Sequence, residues 1–330
     1  MIHPLRYLAA TSVQEALEAA ARYPQAAFLA GGTSLLDLMK AGAESPEVVI
    51  DLNRLGLDRI RREGDELVVG ALVRNSDLAV HPQVVEHLPL LSQALLSGAS
   101  PQLRHMATVA GNLLQRTRCG YFRDPVFDCN KRRPGSGCSA RGGSNRNLAV
   151  LGVSPHCIAT HPSDMAVALS ALEAVVQTRM AGDGGGRLIA IDELYRLPGD
   201  TPHRETVLHP GELISEIRIP LDSRLNRWGY RKVRDRASFA FALVAVAVAL
   251  EVEGETVRRA RIALGSVAPK PWRAREAEAL LLDAPVNPDR FRQAAAAAVA
   301  KAVPAGQNDF KIELVRRLLQ RTLSELGGQP

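Results

Sequence analysis

Four cysteines, Cys119, Cys129, Cys138 and Cys157, are the only ones in 330 residues. Isolated core cysteines scatter along a chain, and a disulfide framework belongs to small secreted chains, so four clustered thiols point to a shared ligand. Their spacing, C-x9-C-x8-C-x18-C, matches neither the short C-x2–4-C pairs of structural zinc nor the close-set runs of ferredoxins. The surrounding charge adds information. Arg116, Arg118, Arg123, Lys131, Arg132, Arg133, Arg141 and Arg146 are opposed only by Asp124 and Asp128, and eight minus two equals the net charge of the whole chain, +6. Such a setting lowers thiol pKa values and stabilises an anionic cluster in its reduced state. Ligand number and charge favour a four-thiolate iron–sulfur cluster; a zinc site and unliganded thiols are the alternatives. Nucleic acid is the weaker reading of this basic stretch, because Tyr121, Phe122 and Phe127 are its only aromatics and no nucleic-acid motif surrounds it. An anionic prosthetic group or an acidic partner surface suits it better.

Two glycine turns flank this segment. In Ala30-Gly31-Gly32-Thr33-Ser34 the glycines permit close backbone approach to a phosphate, and the following helix start and two hydroxyls supply donors. A plain strand-to-helix turn is the competing reading. The stretch is neither a Walker A loop nor the G-x-G-x-x-G fingerprint. Thr108-Val109-Ala110-Gly111-Asn112 is a second candidate contact, with Thr108 and Asn112 as donors and an ordinary turn as the alternative. Asp164 suits a ribose or ribityl hydroxyl, although Ser163-Asp164 is also a helix-capping pair. No nucleophile–base pairing emerges from His81, His87, His105, His156, His161, His203 or His209; substrate chemistry is expected elsewhere.

The elements that must position these residues are legible in outline. Ser12-Val13-Gln14-Glu15 is a capping box opening a helix to about Tyr23. A buried strand at 26–30, a helix at 35–40 and a strand at 47–51 complete a small lobe over residues 1–57. A second lobe, 58–226, begins with strands at 57–60 and 66–70 and a helix over 82–96. Its segment 113–157 breaks the periodic pattern, and so long an irregular stretch is usually functional. A helix at 164–171, a strand at 174–179, a flexible turn at 182–186 and a strand at 213–219 follow. A third unit, 227–330, combines strands at 228–233, 239–253 and 257–267 with helices at 274–282, 288–301 and 310–326. Asn287-Pro288 is a strong helix start. Disorder is expected only at 327–330.

Composition is ordinary for a globular chain, with 46% hydrophobic and 23% charged residues. The most apolar run, 237–250, falls short of the roughly 20 residues a membrane span requires, so no membrane insertion is expected. Met1-Ile2-His3-Pro4-Leu5 does not have the charge-then-apolar pattern of a signal peptide.

Taken in order, Ala30-Gly31-Gly32-Thr33-Ser34-Leu35, Thr108-Val109-Ala110-Gly111-Asn112, Asp164 and Tyr230-Arg231-Lys232 resemble the FAD-binding medium subunit of the xanthine dehydrogenase family of molybdenum hydroxylases. The cysteine-bearing insertion, with strings such as Gly111-Asn112-Leu113-Leu114-Gln115-Arg116-Thr117-Arg118-Cys119 and Thr160-His161-Pro162-Ser163-Asp164, is similar to the FAD and [4Fe–4S] subtype found in bacterial periplasmic aldehyde oxidoreductases. The resemblance implies an α+β fold: a two-lobed FAD-binding domain of the vanillyl-alcohol-oxidase (PCMH) type, then a C-terminal domain of antiparallel sheet and helices like that of carbon monoxide dehydrogenase flavoproteins. It implies FAD contacts from Ala27, Phe28, Leu29, Ala30, Gly31, Gly32, Thr33, Ser34 and Leu35, and from Thr108, Gly111, Asn112, Asp164, Leu213 and Lys232. Ala110 replaces a glycine common in the family's second turn, which tightens the backbone approach there. Cys119, Cys129, Cys138 and Cys157 become the four [4Fe–4S] ligands. The implied activity is electron transfer: a large subunit with the molybdenum cofactor oxidises an aldehyde, and a small [2Fe–2S] subunit passes electrons to FAD in a heterotrimer. Export to the periplasm with a signal-bearing partner is implied, with cytoplasmic residence as the alternative. A zinc-stabilised docking scaffold and a self-contained flavin oxidase are the competing functions.

Overall fold

The computed structural model describes residues 4–182 and 185–328. Three sheets organise the chain. The first is a parallel sheet in which Val48–Asp51 lies between Arg6–Ala9 and Ala27–Leu29. The opening strand Arg6–Ala9 lacks a long apolar alternation and is absent from the sequence-based outline. Helix Val13–Arg22 packs Ala16, Leu17 and Ala20 inward. The Ser12 hydroxyl accepts from the Glu15 amide, and the Glu15 carboxylate accepts from the Thr11 amide and hydroxyl.

The second sheet is antiparallel and ordered Ile60–Glu63, Glu66–Gly70, Leu213–Pro220, Val175–Arg179, Leu188–Ala190. Its first strand starts at Ile60, not at the predicted 57. The single helix predicted over 82–96 is two short helices, Pro82–His87 and Pro89–Ser97, preceded by an unpredicted one, Asn75–Val80. Pro82 and Pro89 sit at first-turn positions, where a missing N–H costs nothing, and each forces the preceding residue out of helical geometry. Asp183 and Gly184 of the predicted 182–186 turn lie outside the described residues, as do Gln329 and Pro330. Gly327 ends a helix and Gly328 caps it in the left-handed region.

The third sheet joins Arg227–Val233, Val244–Glu253, Thr256–Gly265 and Trp272–Arg273 as an antiparallel meander, with Ala284–Pro285 added beside Thr256. Residues 239–243, expected to be strand, are not; Phe239 has φ 48° and breaks the extended run. The sequence Val244-Ala-Val-Ala-Val-Ala-Leu250 explains how the two halves of the molecule join. Val244, Val246, Val248 and Leu250 pack with Phe291, Val315, Leu319 and Leu323 of the C-terminal helices. Ala245, Ala247 and Ala249 face the opposite way, into the core of the second lobe, with Leu91, Ala94 and Val167. Both faces are buried, and the small face lets helix Asp164–Ala171 come close. A side chain at Gly265 would lie 2.7 Å from Val167 Cγ2. This packing fixes Asp164 against the third sheet.

Segment 113–157, expected to be irregular, contains two single-turn helices, Gly120–Arg123 and Ser139–Gly142. Its downstream end is clamped by the C-terminal unit. Asn145 Nδ2 donates to the Ala305 carbonyl at 2.8 Å, and Asn308 Nδ2 to the Ala149 carbonyl at 3.0 Å. The buried Lys311 ammonium donates to the carbonyls of Asn147, Leu148 and Ser266.

Candidate functional site

The first glycine turn packs against the chain just before the second, at Met106, 75 residues after Gly31 in sequence. Gly31 lies so near Met106 that a Cβ on it would stand 1.9 Å from the Met106 carbonyl oxygen. Its missing side chain therefore serves chain-to-chain packing first. Gly32 has φ +72°, a left-handed conformation that favours glycine. The junction is tied by residues that no sequence signal picked out. Asn53 Nδ2 donates to the Ala30 carbonyl at 3.0 Å, and Arg74 donates to both Asn53 Oδ1 and the Met106 carbonyl. Residues 26–35 form an unbroken half-buried run, unlike the neighbouring Val48–Asp51 strand, whose first three residues are fully buried. Ser34 makes no side-chain capping bond at the start of helix Leu35–Lys40. A partly covered ledge with a helix start and a spare hydroxyl fits a phosphate-bearing cofactor.

Thr108 is buried and caps helix Val109–Leu113, its hydroxyl accepting from the Gly111 amide at 3.3 Å. The capping duty at 163–164 falls to Ser163, which accepts from the Ala166 amide and donates to Asn112 Oδ1 at 2.6 Å. Asp164 is thereby released for another role. Its two carboxylate oxygens accept from the Tyr230 hydroxyl at 2.6 Å and from Lys232 Nζ at 2.8 Å. Lys232 is buried and also donates to the Ser97 carbonyl. The fold thus joins Asp164, Lys232 and Tyr230 in one polar cluster, while Asn112 bonds the neighbouring Ser163 and not Asp164 itself. Leu213 sits elsewhere: it belongs to the apolar cluster of the first lobe, with Leu72 and against Phe28 and Ala30.

All four cysteines line one small cavity, together with Lys131, Asn130, His156 and Ala159. None is disulfide-bonded; Cys119 and Cys157 are buried, Cys129 and Cys138 half-buried. An antiparallel bridge joins Cys129 to Cys138, and the Asn130 side chain accepts from the Gly137 amide while donating to the His156 carbonyl. Burial pushes the Cys119 thiol up to about 11, against the amides of Phe122 and Tyr121, which donate to it. Burial also raises Cys157, opposed by the Lys131 charge and by the Ala159 amide, 3.5 Å from Sγ. Both sulfurs are therefore protonated thiols at neutral pH when nothing is bound, with amide donors already aimed at the thiolate form. Among the described residues no three His, Cys, Asp or Glu side chains stand close enough to hold a single metal ion.

The basic character of the insertion is largely spent inside the fold. Arg116 pairs with Glu44 and Glu205, Arg118 and Arg123 with Asp37, Lys131 with Glu205, and Arg146 with Asp235. Arg132 donates to the carbonyls of Tyr121, Phe122 and Phe127, and Arg141 to that of Ser154. Through Asp37, Glu44, Glu205 and Asp235 these side chains staple the insertion to all three parts of the molecule. Beside it lies a cavity of about 270 Å³, walled by Leu113, Arg116, Lys131, His161, Tyr195 and Glu205 among others. His161 is held neutral there, its pKa drawn down to about 4 by burial, and its ring packs at a tilt of 58° against Tyr195 with centroids 4.5 Å apart.

Residues 3–222 match the FAD-binding domain of molybdopterin dehydrogenases, and residues 228–326 the CO dehydrogenase flavoprotein C-terminal domain. The chain belongs to the FAD-binding medium subunits of the molybdenum hydroxylase family. It is 50% identical over 317 residues to the FAD-binding subunit of the aldehyde oxidoreductase of Escherichia coli (strain K12), covering 96% of each chain. It is 30% identical to the carbon monoxide dehydrogenase medium chain of Hydrogenophaga pseudoflava, covering 98% of each. A solved carbon monoxide dehydrogenase from that organism, lacking the Mo-pyranopterin moiety, superimposes with a TM-score of 0.78 at 28% identity over 99% of each chain.

Proposed function

We propose that this chain is the FAD- and [4Fe–4S]-bearing electron-transfer subunit of a molybdenum-dependent aldehyde oxidoreductase. The observation that carries the iron–sulfur part is the convergence of Cys119, Cys129, Cys138 and Cys157 on one cavity. The 50% identity to an aldehyde oxidoreductase subunit supports the substrate class. Bound FAD supplies the capacity to accept electrons and pass them on; the protein supplies binding, orientation and electrostatics. The ledge over 27–35, with Gly31, Gly32, Thr33 and Ser34, holds the pyrophosphate. Thr108, Gly111 and Asn112 border it, Asp164 and Lys232 bind the cofactor's hydroxyl-bearing part and ring, and Leu213 packs behind the ledge. Amide donors at Cys119 and Cys157, with the Lys131 charge, stabilise the cluster in its reduced state.

The partners are a large molybdenum-cofactor subunit and a small [2Fe–2S] subunit, in a heterotrimer in which electrons reach this chain from the small subunit and leave to an external acceptor. The complex is exported to the periplasm on a partner's signal. Co-purification of the chain with its partners, followed by iron, zinc and flavin analysis, tests this directly. Flavin bands with a broad shoulder bleached by dithionite are expected. Zinc without iron would overturn the cluster assignment, and aldehyde turnover by the isolated chain without molybdenum would overturn the division of labour.

A further inference from the structure

The cysteine cavity and the neighbouring larger cavity have two wall residues in common, Lys131 and Ala159. Lys131 is the cation at that partition: its side chain is 7% exposed, and it donates to Glu205 Oε1 at 2.8 Å and to the Pro202 carbonyl at 3.1 Å. Glu205 belongs to the second lobe, outside the insertion, and its other oxygen accepts from Arg116. One carboxylate therefore neutralises two cations of the insertion. Among the described residues, Glu44 is the only other carboxylate paired with Arg116, and Glu205 alone pairs with Lys131. The remaining cations of the insertion are engaged by Asp37, Asp128, Asp235 or backbone carbonyls, so the Lys131–Glu205 balance sets the net charge at the partition.

We infer that Glu205 is a positioning residue that sets the reduction potential of the four-cysteine cluster, by masking the charge of Lys131 at the wall of its cavity. The inference rests on the cluster assignment proposed above. Adding one electron to a four-thiolate cluster adds one negative charge to a site already anionic, so any unmasked cation nearby favours reduction. The interior screens poorly, and the effect of one charge survives there. The 3.1 Å bond to Pro202 keeps the ammonium in place when its carboxylate partner is lost. The direction is therefore fixed: removing the Glu205 charge makes the cluster easier to reduce, and removing the Lys131 charge makes it harder.

The test is a redox titration of the intact complex, followed by the helium-temperature EPR signal of the reduced four-iron cluster. At a fixed potential, Glu205→Gln is expected to raise the ratio of reduced to oxidised cluster about tenfold, a shift of about 59 mV for a one-electron couple. Glu205→Asp restores the wild-type value, and Lys131→Gln shifts it the opposite way. An unchanged potential in a Glu205→Gln complex with full iron would overturn the inference. So would loss of iron from both variants with flavin retained, since Glu205 would then be a structural clamp. Absence of iron from the wild-type complex is a different outcome and overturns the cluster assignment itself.

Discussion

Replacing Gly31 by alanine tests whether the first glycine turn must touch the chain at Met106, just before the second. The added Cβ would stand 1.9 Å from the Met106 carbonyl oxygen and 2.7 Å from its carbon. A comfortable carbon-to-oxygen contact is about 3.3 Å, so the two backbone segments must part by roughly 1.4 Å. Neither side yields easily, because both atoms met are main chain. Overpacking of this kind costs about 1–3 kcal/mol. Parting the segments also weakens the bond from the Arg74 guanidinium to the Met106 carbonyl, a charged hydrogen bond worth about 1.5–3 kcal/mol. A combined loss of about 3 kcal/mol at the ledge corresponds to roughly a hundredfold weaker FAD binding. Gly32→Ala is the internal comparison. Its Cβ meets only side-chain atoms, Leu36 Cδ1 at 3.0 Å and Leu29 Cδ1 at 3.5 Å, so its cost is mainly the left-handed backbone penalty of about 1–2 kcal/mol. Titration of apoprotein with FAD, read by quenching of flavin fluorescence, should rank wild type above Gly32→Ala above Gly31→Ala. Binding of FAD to Gly31→Ala within threefold of wild type, with an unchanged melting temperature, would refute the contact argument.

Serine at any one of the four cysteines should abolish most bound iron while leaving flavin content near wild type, measured by metal and flavin analysis of the same sample. Tyr230→Phe removes one of the two donors on Asp164, and the lost charged hydrogen bond should weaken FAD binding by about 1.5–3 kcal/mol, or tenfold to a hundredfold, in the same fluorescence titration. Lys311→Met removes a shared donor from the carbonyls of Asn147, Leu148 and Ser266 and should lower stability by about 2–4 kcal/mol in denaturant unfolding. A pH signature accompanies it. Burial, helped by the Arg146 charge, draws the Lys311 pKa from 10.5 down to about 7. Between those values the unfolded chain binds more protons than the folded one, so this group makes stability rise with pH from about 7 to 10.5. The rise should be smaller in Lys311→Met; identical pH slopes in the two proteins would refute it.

The chemistry was legible in the sequence wherever it depends on residue type and local order. Four cysteines inside a glycine-rich segment, a double-glycine turn after a short strand, and the Ser12 and Asn287 caps need no distant partner to be recognised. Helix ends and strand limits were blurred where local signals compete: Pro82 and Pro89 each permit a helix start, and only packing decides that two short helices replace one. The partnerships were invisible because they join residues far apart in the chain. Nothing local marks Asn53 and Arg74 as the tie between the glycine turns, or Tyr230 as the second donor to Asp164. Glu205 carries no sequence signal as the carboxylate that neutralises Arg116 and Lys131. The basic insertion shows the division plainly. Its charge, +6 on a simple count, was fixed by composition, yet whether that charge faced solvent or the interior depended on Asp37, Glu44, Glu205 and Asp235. Tertiary structure brings those carboxylates to it, because burying so many cations without partners would cost far more than the fold could supply.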